Sequence, residues 1–208
     1  MGTLLTTHPM RIRALLGDAV VALVLSIPAV GVAAAIPYGP GPLAHYMVRK
    51  QPAAGSCHYR YTSAKQPLPA RRCTPGALNP KVKPSTLATT ICKPGYASRI
   101  RPPPSVTAVE KRANAVSYHY RGSLIQAEYD HLIPLELGGD PNDPRNLWVE
   151  PPSPRHKPSQ TYHNPKDSVE NKARSLVCKG RVPLAAMQRA IAANWTTALT
   201  AVGHPTGK

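Results

Sequence analysis

The chain has 208 residues, enough for one domain with a leader and a loose segment, and its 25 prolines, 5% aromatic content and lack of phenylalanine leave room for only a small core. That excludes a fold resting on apolar burial alone, so cross-links or a metal must contribute. Lysine and arginine number 26 against 10 acids, a net charge of +16 without a long basic run, and such a field draws nucleic acid, anionic lipid headgroups or acidic wall polymers.

Arg11 and Arg13 precede an apolar stretch from Ala14 to Ala35, interrupted by Asp18 and Pro28 and closed by Ala33-Ala34-Ala35. A basic start, an apolar middle and small closing residues describe a secretory signal peptide over 1–35, cut after Ala35. Asp18 and Pro28 leave no clean span of ~20 apolar residues, which argues against a membrane anchor. Residues 36–84 form a Pro-rich basic arm without sustained apolar period, ordered where Cys57 and Cys73 tie it down. Its Tyr38, Tyr46, Tyr59 and Tyr61 either stack on bases of single-stranded nucleic acid or pack the arm onto its domain.

The domain proper runs from 85 to 208. Ser85 to Ile91 reads as a short helical turn leading to Cys92, and Pro102-Pro103-Pro104 as a stiff connector. Thr107 and Glu110 have capping-box spacing, and Val109, Ala113 and Val116 share one face of a helix ending near Ser117. Alternation at Leu124, Gln126 and Glu128 predicts a strand running into Asp130. Five prolines between Pro151 and Pro165 predict a loop. Asp167 then opens a helix whose stripe is Val169, Ala173, Leu176 and Val177, stopped by Cys178 and Gly180. A last helix from Pro183 buries Leu184, Met187, Ile191, Trp195 and Leu199.

An even cysteine count in an exported chain predicts two disulfides, and three pairings are possible. We prefer Cys57 with Cys73 and Cys92 with Cys178, because the second would tie the supporting segment to the end of the 167–177 helix.

The stretch Glu128-Tyr129-Asp130-His131-Leu132-Ile133-Pro134-Leu135-Glu136-Leu137-Gly138-Gly139, followed by Asn146-Leu147-Trp148, carries the chemistry. Asp130 offers oxygen to a divalent cation and His131 titrates near neutral pH, so the pair suits hydrolysis. On a regular strand the two would face opposite ways, and Pro134 with Gly138-Gly139 supplies the interruption that lets them share a site. Asn146 opens the returning strand, where its amide can bridge the loop and fix the ring. Read blandly, Asp-His is a surface pair and Gly-Gly-Asp-Pro a turn.

In order and spacing these elements, with His163-Asn164-Pro165-Lys166-Asp167 after them, resemble the HNH endonuclease superfamily, and small exported bacterial HNH-domain proteins in particular, over roughly residues 73 to 200. The resemblance implies an α+β fold with a ββα-metal core, a β-hairpin and a helix around one metal, plus flanking helices. It implies His131 as general base, Asp130 as metal ligand and Asn146 as the Asn that steadies the loop. The third position falls to His163 or Asn164, with His163 preferred for its spacing from Lys166. The Cys-x-x-Cys pairs that hold a structural zinc in some members are missing here.

The expected activity is therefore metal-dependent phosphodiester hydrolysis of nucleic acid, DNA before RNA, outside the cytoplasm. The cofactor would be one divalent cation, magnesium before manganese or zinc, with Lys166 or Arg145 adding positive charge near the phosphate. The rival is an exported basic protein that keeps the scaffold without turnover and binds nucleic acid or an anionic envelope. A toxin held by an immunity partner is a third reading. The chain is expected to act as a monomer.

Overall fold

In a computed structural model, residues 1–4, 35–156 and 164–205 are described. The chain divides into Met1–Ala34 and Ala35–Lys208, and the architecture below is that of the second unit. Most of the leader reading, and His163, lie outside the described residues.

The unit is mixed α+β. Its arm holds strands β1 (Arg60–Tyr61) and β2 (Pro67–Leu68), and a 3₁₀ helix follows at Pro84–Thr89. Helices α1 (Tyr96–Ile100) and α2 (Pro104–Ser117) lead to β3 (Glu128–His131). A 3₁₀ turn at Leu135–Leu137 separates it from β4 (Leu147–Glu150). Helices α3 (Pro165–Cys178), α4 (Leu184–Asn194) and α5 (Ala198–Ala201) complete the chain, with a 3₁₀ turn at Trp195–Thr197 between the last two.

Two antiparallel pairs form the sheets, β1 with β2 and β3 with β4. In the second, Glu128 faces Glu150, Tyr129 faces Val149, Asp130 faces Trp148 and His131 faces Leu147. Pro134 starts the 3₁₀ turn that ends the strand, and Gly138 closes that turn at φ 76°, where a side chain would meet Val82. The loop therefore folds back tightly enough for Asn146 to reach Ile133.

The main core lies between α3 and α4. The α4 stripe is buried as the periodicity predicts: Leu184, Met187, Ile191, Trp195 and Leu199 all lie inside, with Ala173, Leu176 and Val177 of α3 against them. Each large side chain in it contributes roughly 2 kcal/mol by burial. A second cluster joins Tyr118, Leu132 and Trp148 to Cys57 and Cys73 of the arm.

Both preferred disulfides are present, Cys57–Cys73 and Cys92–Cys178. They fit an oxidising setting. Among the described residues no helix is long and apolar enough to cross a membrane.

Helix α2 departs from its sequence reading. It begins at Pro104, with Thr107 already inside, and no side chain caps its N-terminus. Its inward face is Val106, Glu110, Asn114 and Ser117, while Val109 and Val116 stand 39% and 59% exposed. The polar face is buried with a fixed backbone partner for each of its three residues, and Glu110 Oε2 alone of their side-chain oxygens lacks one among the described residues. Glu110 accepts from Arg49 N at 2.6 Å, Asn114 Oδ1 from Val149 N at 2.8 Å, and Ser117 Oγ donates to Pro52 O at 2.6 Å. Asn114, together with Tyr59, whose Oη donates to Val149 O at 2.7 Å, thereby satisfies groups on the outer edge of β4.

The arm is built into the hairpin loop. Leu78 bridges both Tyr38 and Gly139, and Asp140 N donates to Ala77 O at 2.8 Å. Two arm tyrosines pack or bond inward: Tyr59 lies against Tyr118 and Trp148, and Tyr46 Oη donates to Ile100 O. Tyr38 and Tyr61 remain exposed.

Candidate functional site

The end of β3, the start of the following turn and the first two turns of α3 enclose a cleft of ≈ 260 Å³. Glu128, Asp130, Glu136, Asp167 and Glu170 line it, five of the chain's 10 acids, together with His131 and Arg101. In a chain of +16 this concentration of carboxylates is a local inversion of charge.

Asp130 and His131 reach the same cleft although they are strand neighbours, because His131 is the last residue of β3. The His131 ring is buried, and its Nε2 lies 2.9 Å from Pro141 O. A carbonyl can only accept, so Nε2 carries the proton and Nδ1 keeps its lone pair. Burial pushes the imidazole down to about 4 against the upward pull of the Pro141 bond, so the ring is neutral at physiological pH.

Asn146 sets this arrangement. Its Oδ1 accepts from Ile133 N at 3.0 Å, and its Nδ2 donates to Ile133 O and Asp140 O, both at 3.0 Å. The loop that carries Pro141 is thus fastened across its neck. Asp140 fastens the tip, accepting from Asn142 N, Asp143 N and Gly41 N. Gly139 passes so close to Ile133 O that no Cβ could fit there.

Asp130 Oδ2 accepts from Trp148 Nε1 at 3.0 Å and pairs with Lys166 Nζ at 2.8 Å. Lys166 is fully buried and also binds Glu170 at 2.5 Å and His131 O at 2.8 Å. Burial works against its charge, but Asp130, Glu170 and Glu150 outweigh that and raise its pKa. The ammonium is therefore an internal counter-ion, and the phosphate contact expected of Lys166 would require it to leave these partners.

Glu128 and Glu150 face each other across the hairpin, an arrangement of like charges that destabilises a strand pair unless something bridges it. Asn164 Nδ2 does so, donating to Glu150 at 2.8 Å and Glu128 at 3.2 Å. Burial and then the Asp130 charge raise the pKa of both. Asn164 Oδ1 meanwhile caps α3 through Lys166 N at 3.0 Å. With its amide so engaged, Asn164 is absent from the cleft lining, unlike the ligand role expected of it.

Arg145 is also turned away. Its guanidinium binds Asp143 at 2.9 and 2.5 Å and Tyr38 O at 3.1 Å, on a different face. The arginine at the cleft is Arg101, exposed just after α1. Glu170 and Arg101 were missed from sequence. The signal for Glu170 was its i,i+4 spacing from Lys166; Arg101 had none.

The donor set is oxygen-rich and suits a hard divalent cation. Lys166 already engages one oxygen of Asp130 and one of Glu170, however, and among the described residues no three His, Cys, Asp or Glu side chains converge as metal ligands.

Comparison with protein-family models, with curated proteins and with solved structures returned no match. The functional reading therefore rests on the cleft itself.

Proposed function

We propose that the protein is an exported, HNH-type phosphodiesterase acting on nucleic acid, DNA before RNA, through a ββα-metal core made of β3, β4 and α3. One observation carries the reading: a neutral imidazole, locked by Pro141 with its basic nitrogen unprotonated, lines the same cleft as Asp130. His131 Nδ1 takes a proton from a water as that oxygen bonds to phosphorus and the phosphorus–oxygen ester bond on the far side breaks. The leaving oxygen receives its proton from solvent. Asn146 is a positioning residue, since it holds the loop that holds the ring.

Asp130, with Glu170 and with His163 from outside the described residues, would hold a divalent cation, magnesium before manganese or zinc. Such an ion supplies charge neutralisation at the phosphate. Arg101 takes the part expected of Arg145, since among the described residues it is the arginine that lines the cleft.

The test is incubation of the mature protein with plasmid and single-stranded DNA, with magnesium or with chelator. Cutting by wild type that chelator and Asp130→Ala both remove supports the reading. Equal inertness across magnesium, manganese and zinc refutes it.

A second reading, a scaffold that binds anionic polymers without turnover, is favoured by Lys166, which already pairs with both Asp130 and Glu170 with no added ion. Calorimetric titration separates the two: the enzyme takes up one divalent ion per chain, and the binder takes up none.

A further inference from the structure

The acid-lined cleft repels the polyanion it would cut, so a phosphodiester chain must be gripped elsewhere. A cleft beside Arg49 and Lys50 contains Asp143, and another beside Tyr96 contains Glu136. The groove along the outer face of α2, ≈ 570 Å³, is lined by Arg112, Val116, His119, Tyr120, Arg121 and Leu124 among others, and no carboxylate borders it.

Among the described residues its guanidiniums have no acidic partner. Arg121 donates instead to His119 Nε2, from Nη2 at 2.8 Å and from Nε at 3.3 Å, so the imidazole accepts and seats the guanidinium without cancelling its charge. His119 holds φ 51°, a left-handed conformation uncommon outside glycine, at the bend where α2 ends. Arg112 and Arg121 are both exposed. Val116 in the groove is 59% exposed, and Ile125, next in sequence to the groove residue Leu124, is 95% exposed. The helix face that the sequence marks with Val109, Ala113 and Val116 is therefore turned outward, and its Val116 lines the cationic groove.

We propose that this groove is a binding site for single-stranded nucleic acid, with Arg112 and Arg121 holding phosphates and Tyr120, Val116 and Ile125 meeting the bases. The proposal rests on the preceding reading only for its choice of nucleic acid over other polyanions. A concave groove fits a strand better than a flat bilayer. Unpaired bases have exposed faces for apolar and aromatic side chains, whereas a duplex offers only its phosphates there. Such a site would keep substrate on the protein while the acidic cleft admits one phosphate at a time.

The experiment is fluorescence anisotropy of a labelled single strand of about a dozen nucleotides, in chelator so that nothing is cut, across a salt series. Arg112→Glu/Arg121→Glu should weaken binding roughly tenfold or more and reduce the salt slope by about 1.4, two phosphate contacts at ~0.7 each. Lys179→Glu/Arg189→Glu, the same charge change at two exposed positions elsewhere, should leave the slope within experimental error of wild type. Equal weakening by both pairs overturns the proposal, as does an unchanged oligonucleotide affinity in the groove variant. Loss of binding to phosphatidylserine vesicles with oligonucleotide binding intact assigns the groove to a membrane and overturns it too. Because the assay needs no turnover, a groove that binds the strand in a protein that cuts nothing refutes the hydrolytic reading alone.

Discussion

Asn146 is the residue whose loss should report most clearly on how the hairpin is held. Its side chain makes three buried hydrogen bonds, to Ile133 N, Ile133 O and Asp140 O, each at 3.0 Å, and it has no solvent exposure. Asn146→Ala strands one donor and two acceptors in the interior, and at ~1 kcal/mol net for each lost bond, with more where water cannot enter, stability should fall by about 3–4 kcal/mol. Asn146→Asp is the sharper variant. When protonated it keeps the bond from Ile133 N and one of the two donations, so in acid its cost should be only about 1–2 kcal/mol. Ionised, it aims an anion at two carbonyl oxygens. Its folded-state pKa is therefore raised above the unfolded value of about 3.9, and the penalty, absent below that value, grows as pH rises toward the folded pKa. Urea unfolding of both variants at pH 4 and pH 7, disulfides intact, measures this. If Asn146→Ala costs under about 0.5 kcal/mol, or Asn146→Asp loses no more at pH 7 than at pH 4, the loop is not fastened by this amide.

Lys166→Met leaves Asp130 and Glu170 without their shared buried cation and should cost about 3–5 kcal/mol in urea unfolding, with much of that recovered when Asp130→Asn and Glu170→Gln are added. His131 is held at about 4 against an ordinary 6.5, so the unfolded chain takes up a proton that the native state refuses as pH falls through that window. Its contribution is complete above about 6.5 and declines toward 4 by about 3 kcal/mol, and urea midpoints of His131→Gln should show a flatter acid dependence. Under the proposed hydrolytic function, the same shift puts the acid limb of kcat/KM below pH 5 and not near 6.5. Replacing Cys92 and Cys178 by alanine, which opens a separation of 86 residues, should destabilise by about 4–5 kcal/mol in the chain-entropy model. Replacing Cys57 and Cys73, separated by 16, should cost about 3, and calorimetry orders the two.

The parts of the fold legible in sequence were those set by local chemistry. The α4 stripe, the turn at Pro134 with Gly138, and the Asn146 bridge follow from side-chain period, proline geometry and amide bonding within a short loop. The inward face of α2 did not, because Val109, Ala113 and Val116 have the same helical spacing as Glu110, Asn114 and Ser117. Only the distant backbone groups of Arg49, Pro52 and Val149 decide between the faces, and a sequence does not show which carbonyls and amides will arrive there. The site divides in the same way. Asp130 and His131 announced themselves by type and order, and the structure brings both to one cleft. Lys166 and Arg145 were read as free charges, yet each has a carboxylate within bonding reach, and burial in one case and a two-residue turn in the other favour the internal pair. Arg101 reaches the cleft from before α2, through tertiary packing that no local pattern encodes.

The most direct test of the account is chemical rescue of the missing base. With His131→Gly, magnesium and single-stranded DNA, cleavage should fall by at least about a hundredfold, the scale of a lost general base, and added imidazole should restore a measurable part of it. Cleavage by His131→Gly at the wild-type rate, with no response to imidazole, would contradict it.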